Sequence, residues 1–596
     1  MRSAILALLF FASFVIRIAA QTTHLVPSPA DSIQNAINLA SDGDTVSVGA
    51  GVWHERINFL GKAIRVVGLG PGVSTIDAQF TGSVVTFSNQ EQSNSILEGF
   101  TITGGHGDPF FFGTTLQSSG GGIAVIGAYV PNGPAVCSPT IVNCEITGCF
   151  AERGAGVWVF GYSHVDLVDC RILSSTRIDP TGVVVSPVGV GGDGVYAQLN
   201  CRVTMTGGEI SASEGAAFFV ETASLGSTVS GVTFDSNLGS AVLFNGGQSH
   251  RVSRCRFISN SSPTSGGAMA CGNNNVPGSF PPILVEDCIF VGNSAPFEGG
   301  ALYVGGSSEV LVSSCTFLSN SASLHGVAST IGFAALEFRN TIVRACGPNP
   351  VAVTPNPLGV LTLASCNIES GPVAPGVVDV DPLFVDASSG DFRLEAASPM
   401  IDAGSNALMT TSALDFAGRP RILNGTIDIG AHESDDIANH ATAAGNLVDP
   451  GAGTTFRAIR VNGDDGGSDH RVAVPAFSPW SLSFTSPTWM TPHPDFAIFG
   501  ALAEATIETV VNVPLGVGEM SFVPCPVVPQ FEGPVFTLTS TVPLPCNAVL
   551  PSVPGPTWTT PLIPGLPGPI DVSFQGVVLD AVGGLHTTNL LIVNIR

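Results

Sequence analysis

The chain has 596 residues and a mass of 60.9 kDa, with 11% charged residues against about 25% in an ordinary globular domain. Lys+Arg total 21 and Asp+Glu 46, a net charge of −25, which excludes the basic face that nucleic acid requires and repels polyanions at long range unless cations bridge them. The 71 Gly, 43 Pro, 44% hydrophobic content and mean hydropathy of +0.38 argue against disorder and against long helices, whose exposed faces need Glu, Lys and Arg; a turn-rich all-β chain remains.

Residues 1–20, MRSAILALLFFASFVIRIAA, carry Arg2, an apolar run over 4–16, and small residues at Ala19 and Ala20. That is the pattern of a cleaved secretion signal. No later stretch is apolar for about 20 residues, so no transmembrane segment is expected in the mature chain. The expected location is secreted, extracellular or on the cell surface. SIQNAINLA (32–40) then reads as a short amphipathic helix, followed by alternating segments at 42–59 and 62–70. A helix placed there covers the open end of whatever sheet follows.

The sequence then repeats itself. The phrase apolar-x-x-Cys-x-apolar appears as IVNCEI, LVDCRI, VSRCRF, VEDCIF, VSSCTF and LASCNI, with degenerate copies such as LEGFTI and VSGVTF. Its fourth position falls at 100, 144, 170, 208, 232, 255, 288, 315, 341 and 366. Six of the nine steps are 23 to 27 residues, and the longer ones mark turns carrying insertions. A second phrase, as in GVWVFG (156–161) and ALYVGG (301–306), precedes each copy, and a third, FxxN, follows from 234 onward. Two or three period-2 segments per unit, separated by Gly, Asn and Ser, make one coil of a parallel β-solenoid of about ten coils. Coils stack because one alone cannot bury its apolar face. Recurrent Cys and Asn then form ladders along the axis, with Cys144, Cys170, Cys255, Cys288, Cys315 and Cys366 as stacked buried thiols. Cys137 with Cys149, and Cys525 with Cys546, are plausible disulfide pairs.

The opening phrases IQNAI, DGDTV and GVWHERI resemble those of pectinesterases and related right-handed parallel β-helix proteins of the pectin-lyase-like superfamily. FxxN and GGA resemble repeats of polymorphic outer-membrane adhesins. The stretches 381–404 and 415–433 are similar to the end of the β-helix in many exported bacterial proteins. The resemblance implies a right-handed parallel β-helix over 21–434 with an N-terminal helical cap. Beyond Glu433 the Cys and Asn phrases stop, and short strands between Pro and Gly turns suggest a β-sandwich at 435–596.

The same resemblance places substrates along the sheet of GVWVFG-type strands. With Val157 and Val159 inward, alternation turns Trp158, Tyr196, Phe219 and Tyr303 outward. These four are the candidate substrate-binding residues, an exposed aromatic stripe able to stack on sugar rings. Candidate catalytic residues are Glu152 and Arg153, Asp193, Glu214 and Glu221, with Glu298 beside them. A pectate-lyase-like reaction assigns Arg153 as the base, with Arg177 and Asp179 as second choices, and acids holding Ca²⁺, the one cofactor this reading admits. A glycoside hydrolase needs two carboxyls suitably spaced. The paired-aspartate and His-Gly phrases of esterases and hydrolases of this superfamily are missing. No zinc spacing and no phosphate loop is present. Two readings stay open: a secreted carbohydrate-binding or polysaccharide-processing β-helix protein, or a non-catalytic adhesin or matrix protein with a surface glycan as partner.

Overall fold

The computed structural model describes residues 21–26 and 32–434, apart from short breaks at 113, 131–132, 175–191, 222–225, 247–248, 274–280, 354–358, 373, 396, 411 and 423–424. Beyond 434 it describes only the backbone of separate strands between 459 and 595. Residues 1–20, expected to be a secretion signal, and the cysteines 525 and 546 lie outside the described residues.

Three all-parallel sheets of 13, 11 and 13 strands wind around one apolar core. The chain is a right-handed parallel β-helix, with one strand in each sheet per turn of the coil. The sheets hold more strands than the roughly ten copies of the Cys phrase, because the first coils lack that phrase altogether. The first sheet begins at Thr23–Val26 and ends at Val360–Ala364. The second runs from Ile57–Asn58 to Val351–Val353 and contains the GVWVFG-type strands. The third runs from Gly51–Trp53 to Val377–Val378.

The Cys phrase is the corner between the first and third sheets. Its third residue takes a left-handed backbone: Asn143, Asp169, Arg254, Asp287, Ser314 and Ser365 have φ between 45° and 53°. One such residue turns the chain, and the next, Cys, is buried in the interior. All the described cysteines are buried free thiols. That confirms the thiol stack and corrects the Cys137–Cys149 pairing. Cys137 instead points its thiol at the Glu91 carboxylate, 3.4 Å away. Burial pushes the Cys170 and Cys366 thiols up to about 11, so they stay protonated and unreactive.

The FxxN phrase is a second axial ladder. Asn237 Nδ2 donates to Asn260 Oδ1 at 2.8 Å, Asn260 to Asn293 at 2.9 Å and Asn293 to Asn320 at 2.9 Å. Each also donates to a backbone carbonyl of the coil before it, such as Phe234 O for Asn260, so every buried amide of the ladder is satisfied. Phe234, Phe257, Phe290 and Phe317 stack beside them, centroids 4.9, 4.6 and 4.4 Å apart and rings within 4° of parallel.

The front is capped by the expected helix, Ile33–Leu39, which buries Ile33, Ala36 and Ile37. The Glu55 carboxylate accepts from Ile33 N (2.7 Å) and Gln34 N (3.0 Å) at its start. Lys62, the only lysine in the chain, donates to the carbonyls of Ile37, Asn38 and Ala40 at its end, at 2.7, 2.8 and 2.7 Å. Opposite charges at the two ends match the helix dipole.

Residues 381–434 add no further coil. They double back as a strap over the third sheet. Leu394, Met400 and Ile429 pack on Ile342, Phe392 and Ala431 on Ile289, and the Phe416 ring lies 5.4 Å from the Arg256 guanidinium. Buried Arg421 and buried Asp287 meet at 3.5 Å beneath it. The strands beyond 434 pair mostly antiparallel, the largest set being six-stranded. Among the described residues no helix is long and apolar enough to cross a membrane.

Candidate functional site

The predicted phase of the second sheet is the observed one. Val157, Val159, Val195 and Ala197 belong to the interior core. Trp158, Tyr196 and Phe219 form a separate cluster on the outer face, with Phe110, Phe160 and Leu243 packed against it. The stripe is nevertheless not exposed. Trp158 and Tyr196 are each 1% accessible and Phe219 8%. The cause is a hairpin, Asp108–Phe112 with Thr115–Ser119, inserted in the first long step of the repeat. Phe110 places its ring edge-on to Trp158 at 5.0 Å and to Phe160 at 4.8 Å.

Polar ties hold the hairpin down, and two candidate catalytic residues supply them. Glu152 Oε2 accepts from Ser118 N at 2.9 Å, and Glu152 N donates to Ser118 Oγ at 3.0 Å. Arg153 Nε donates to Gln117 Oε1 at 2.7 Å. Its Nη1 donates to the Tyr196 hydroxyl and to Gln198 at 3.3 Å, and lies 3.7 Å from Glu221. The Tyr196 hydroxyl in turn donates to Glu221. Burial and the Glu221 carboxylate raise the phenol well above its ordinary value. In this geometry the arginine expected as the base spans the hairpin and the sheet, with contacts to Gln117, Tyr196, Gln198 and Glu221. Arg153, Glu152 and Glu221 join the hairpin to the sheet.

The open part of the face starts one coil further on. A trough of about 440 Å³ is lined by Phe219 and Leu243 on one side, Ala270 and Gly272 along the floor and Tyr303 on the other side. Glu214, Leu238 and the turn Ser262–Ser265 form its rim. The floor is low because Ala270 and Gly272 have almost no side chain; a Cβ on Gly272 would meet nothing closer than Asn245 Oδ1 at 3.8 Å. Tyr303 is half-buried and lies over Gly305, where a Cβ would come within 3.0 Å of its ring. The missing side chain at 305 is what lets the ring lie down against the sheet. Burial, and next the Glu298 carboxylate, raise the Tyr303 phenol above its ordinary value. Glu298 Oε2 accepts from Ser329 Oγ at 3.1 Å. Among the described residues no Lys, Arg or His lines the trough.

The structure therefore brings Glu214, Phe219 and Tyr303 together along the trough, while Trp158, Glu152 and Arg153 lie under or against the hairpin and Phe219 joins the two groups. Asp193 is in strand Gly192–Gln198, with its side chain outside the described residues, as are Arg177 and Asp179. Among the described residues no three Asp, Glu, His or Cys side chains converge to hold a metal ion, so the Ca²⁺ expectation finds no donor set there. The floor residues Ala270 and Gly272 and the rim residue Leu238 went unread. Their signal was the small residues of AMACGN where other coils carry GVWVFG.

A family model described as a right handed beta helix region matches residues 98–280. No curated protein is detectably similar in sequence. Among solved structures, the chain is similar to a pectate lyase, Pel9A, at 14% identity and TM-score 0.37, covering 70% of this chain and 97% of the other. It is similar to a PL6 family alginate lyase, AlyGC, at 13% identity and TM-score 0.37, covering 63% and 55%. The catalytic domain of a GH87 α-1,3-glucanase gives 12% identity and TM-score 0.35, covering 60% and 69%. Superpositions this partial carry no residue of those enzymes across to this chain.

Proposed function

We propose that this chain is an exported carbohydrate-binding β-helix protein, and that the trough between Phe219 and Tyr303 is its glycan site. The observation that carries this is the Tyr303 ring, laid against the sheet over Gly305 at the edge of an open trough. An apolar ring face stacks on the C–H face of a sugar. The rim hydroxyls of Ser240, Ser262, Thr264 and Ser265 suit a ligand made of hydroxyls. The volume lies within the range of small-ligand sites.

The charge pattern selects among glycans. With Glu214 on the rim, no cation in the lining and a net charge of −25, a uronate chain is disfavoured and a neutral one fits. Binding without cleavage is favoured over a lyase reaction because Arg153 is tied to the hairpin and the sheet and no acid cluster able to hold calcium is found among the described residues. The adhesin or matrix role, at the cell surface or outside the cell, is the setting in which such a binder works. The 435–596 region is a proposed β-sandwich in that role.

The test is retardation of the purified protein in gels containing neutral or acidic polysaccharides, with ultraviolet absorbance and reducing ends followed in parallel. Retardation by neutral glycan with no new ends is expected. Calcium-dependent absorbance on a uronate polymer would sink this reading in favour of a lyase.

A further inference from the structure

Resting on the carbohydrate reading above, we infer that the trough receives the terminus of a saccharide chain, and that the chain leaves sideways over an apolar rim instead of running along the solenoid.

The argument is the height of the outer face from coil to coil. The floor is lowest at Ala270 and Gly272. Towards the N-terminus it rises through Leu243 and Phe219 to Tyr196, whose ring contacts Phe219 at 5.0 Å. The Arg153 guanidinium sits 5.3 Å above that ring, and Gln117 of the hairpin bonds to the guanidinium. Ring, guanidinium and hairpin make a three-layer wall. Towards the C-terminus the trough ends at the Tyr303 ring, which lies over Gly305, and behind it the Glu298 carboxylate accepts from Ser329 Oγ. Coils stack at about 4.8 Å, so four steps from Tyr196 to Tyr303 give roughly 19 Å between the walls. A polysaccharide following the axis meets a wall at both ends.

Among the described residues, the exit between these walls lies across the turn Ser262–Ser265. It is flanked by Leu238 and Phe297, each 60% exposed. Phe297 is fixed beside the turn by its own N–H, which donates to Thr264 O at 3.3 Å. Two large exposed apolar side chains on either side of a hydroxyl-lined turn mark a contact surface. The terminal ring occupies the trough, and the next ring crosses between Leu238 and Phe297.

The test uses the full chain and linear gluco-oligosaccharides of β-1,4, β-1,3 and α-1,4 linkage, from monosaccharide to octasaccharide, with cyclodextrins as α-1,4 rings that have no terminus. Calorimetry is expected to show affinity rising up to the trisaccharide and flat thereafter, with no binding of the rings. Phe297→Ser, at an exposed position outside the trough lining, is expected to weaken oligosaccharides about three- to tenfold, the worth of one apolar ring contact, and to leave the monosaccharide unchanged. Affinity that climbs steadily with length, or cyclodextrins that bind as well as linear chains, would overturn the terminus inference while leaving the carbohydrate reading intact. Silence across the whole series, with unchanged circular dichroism, overturns both.

Discussion

The guanidinium of Arg153 lies 5.3 Å from the centre of the Tyr196 ring while its Nε donates to Gln117 of the hairpin at 2.7 Å. One side chain thus joins the sheet to the cover over its aromatic face. Arg153→Met keeps the apolar stem and removes the donors. Charge-assisted hydrogen bonds of this kind are worth about 1.5–3 kcal/mol, and the loss is expected to appear locally. Amide exchange in 115–119 should quicken and Trp158 fluorescence should shift to the red, read against a Trp158→Phe background. Exchange rates that match wild type would show that Phe110 and the Glu152–Ser118 bonds hold the hairpin without Arg153.

Tyr303 and Gly305 make a prediction about ligand affinity. Tyr303→Ala removes the ring and is expected to weaken neutral glycan about three- to tenfold. Gly305→Val leaves the ring in the protein but puts a side chain where the ring now lies, so it should weaken binding in the same direction. If Gly305→Val binds as wild type does, the ring's attitude is irrelevant and only its presence counts.

The asparagine ladder is a stability device. Asn260→Ala leaves Asn237 N without the Asn260 oxygen that accepts from it at 3.1 Å, and deprives the Asn293 oxygen of one donor. Orphaned buried polar groups cost about 1–3 kcal/mol each, so a loss of about 2–4 kcal/mol is expected in urea denaturation of a chain ending at 434. Asn260→Asp should be at least as damaging, because a carboxylate accepts but cannot donate to Asn293. A midpoint unmoved by either change would mean that water or backbone takes over the ladder's role.

The strap over the third sheet should be sensitive to pH. Beneath it, Asp287 and Asp428 are pushed up to about 7 and Glu433 to about 9, in each case chiefly by burial. Arg421 lowers all three, but it is one buried guanidinium shared by three buried carboxyls, 3.5 Å from Asp287 and 3.8 Å from Glu433, so desolvation wins. Acids with raised values in the folded state favour folding fully below their ordinary range near pH 4. They lose that contribution as pH rises through 7 to 9. Proteolysis within 381–434 should therefore be slow at pH 5 and quicken towards pH 9, and Asp287→Asn should flatten the profile. Faster cleavage at the acidic end would reverse the sign and refute this account.

How legible was all this in the sequence? The coils were, because a corner repeated every 25 residues or so must place the same residue types in the same surroundings. Cys144, Cys170 and Cys255 said as much, and so did Asn260 and Asn293. The left-handed residue before each Cys was less visible, since Asn, Asp, Ser, Gly and even Arg254 serve there. The outward phase of Trp158 and Tyr196 followed from alternation. Their burial did not, because it depends on which way an inserted hairpin folds. The 44-residue step from 100 to 144 located that insertion, but nothing in DPFFF says that Phe110 turns down onto Trp158 while Phe111 stays 68% exposed. The strap was hidden for the same reason: its contacts with Asp287 and Thr316 join positions more than a hundred residues apart.

The Asn237-to-Asn320 ladder also bears on how the molecule can change length. Each asparagine presents the same donor to the coil after it and the same acceptor to the coil before it, and each phenylalanine presents the same ring face. Any two of these rungs are interchangeable at their junctions. Excising one whole unit, residues 261–293 for example, would bring Asn260 against Asn320 and Phe257 against Phe317 with complementary edges, whereas removing part of a unit would leave a donor facing a donor or a strand out of phase. Growth and shrinkage of this solenoid are quantised by the coil, and a shortened protein of this kind would keep its ladder while losing the floor of the trough.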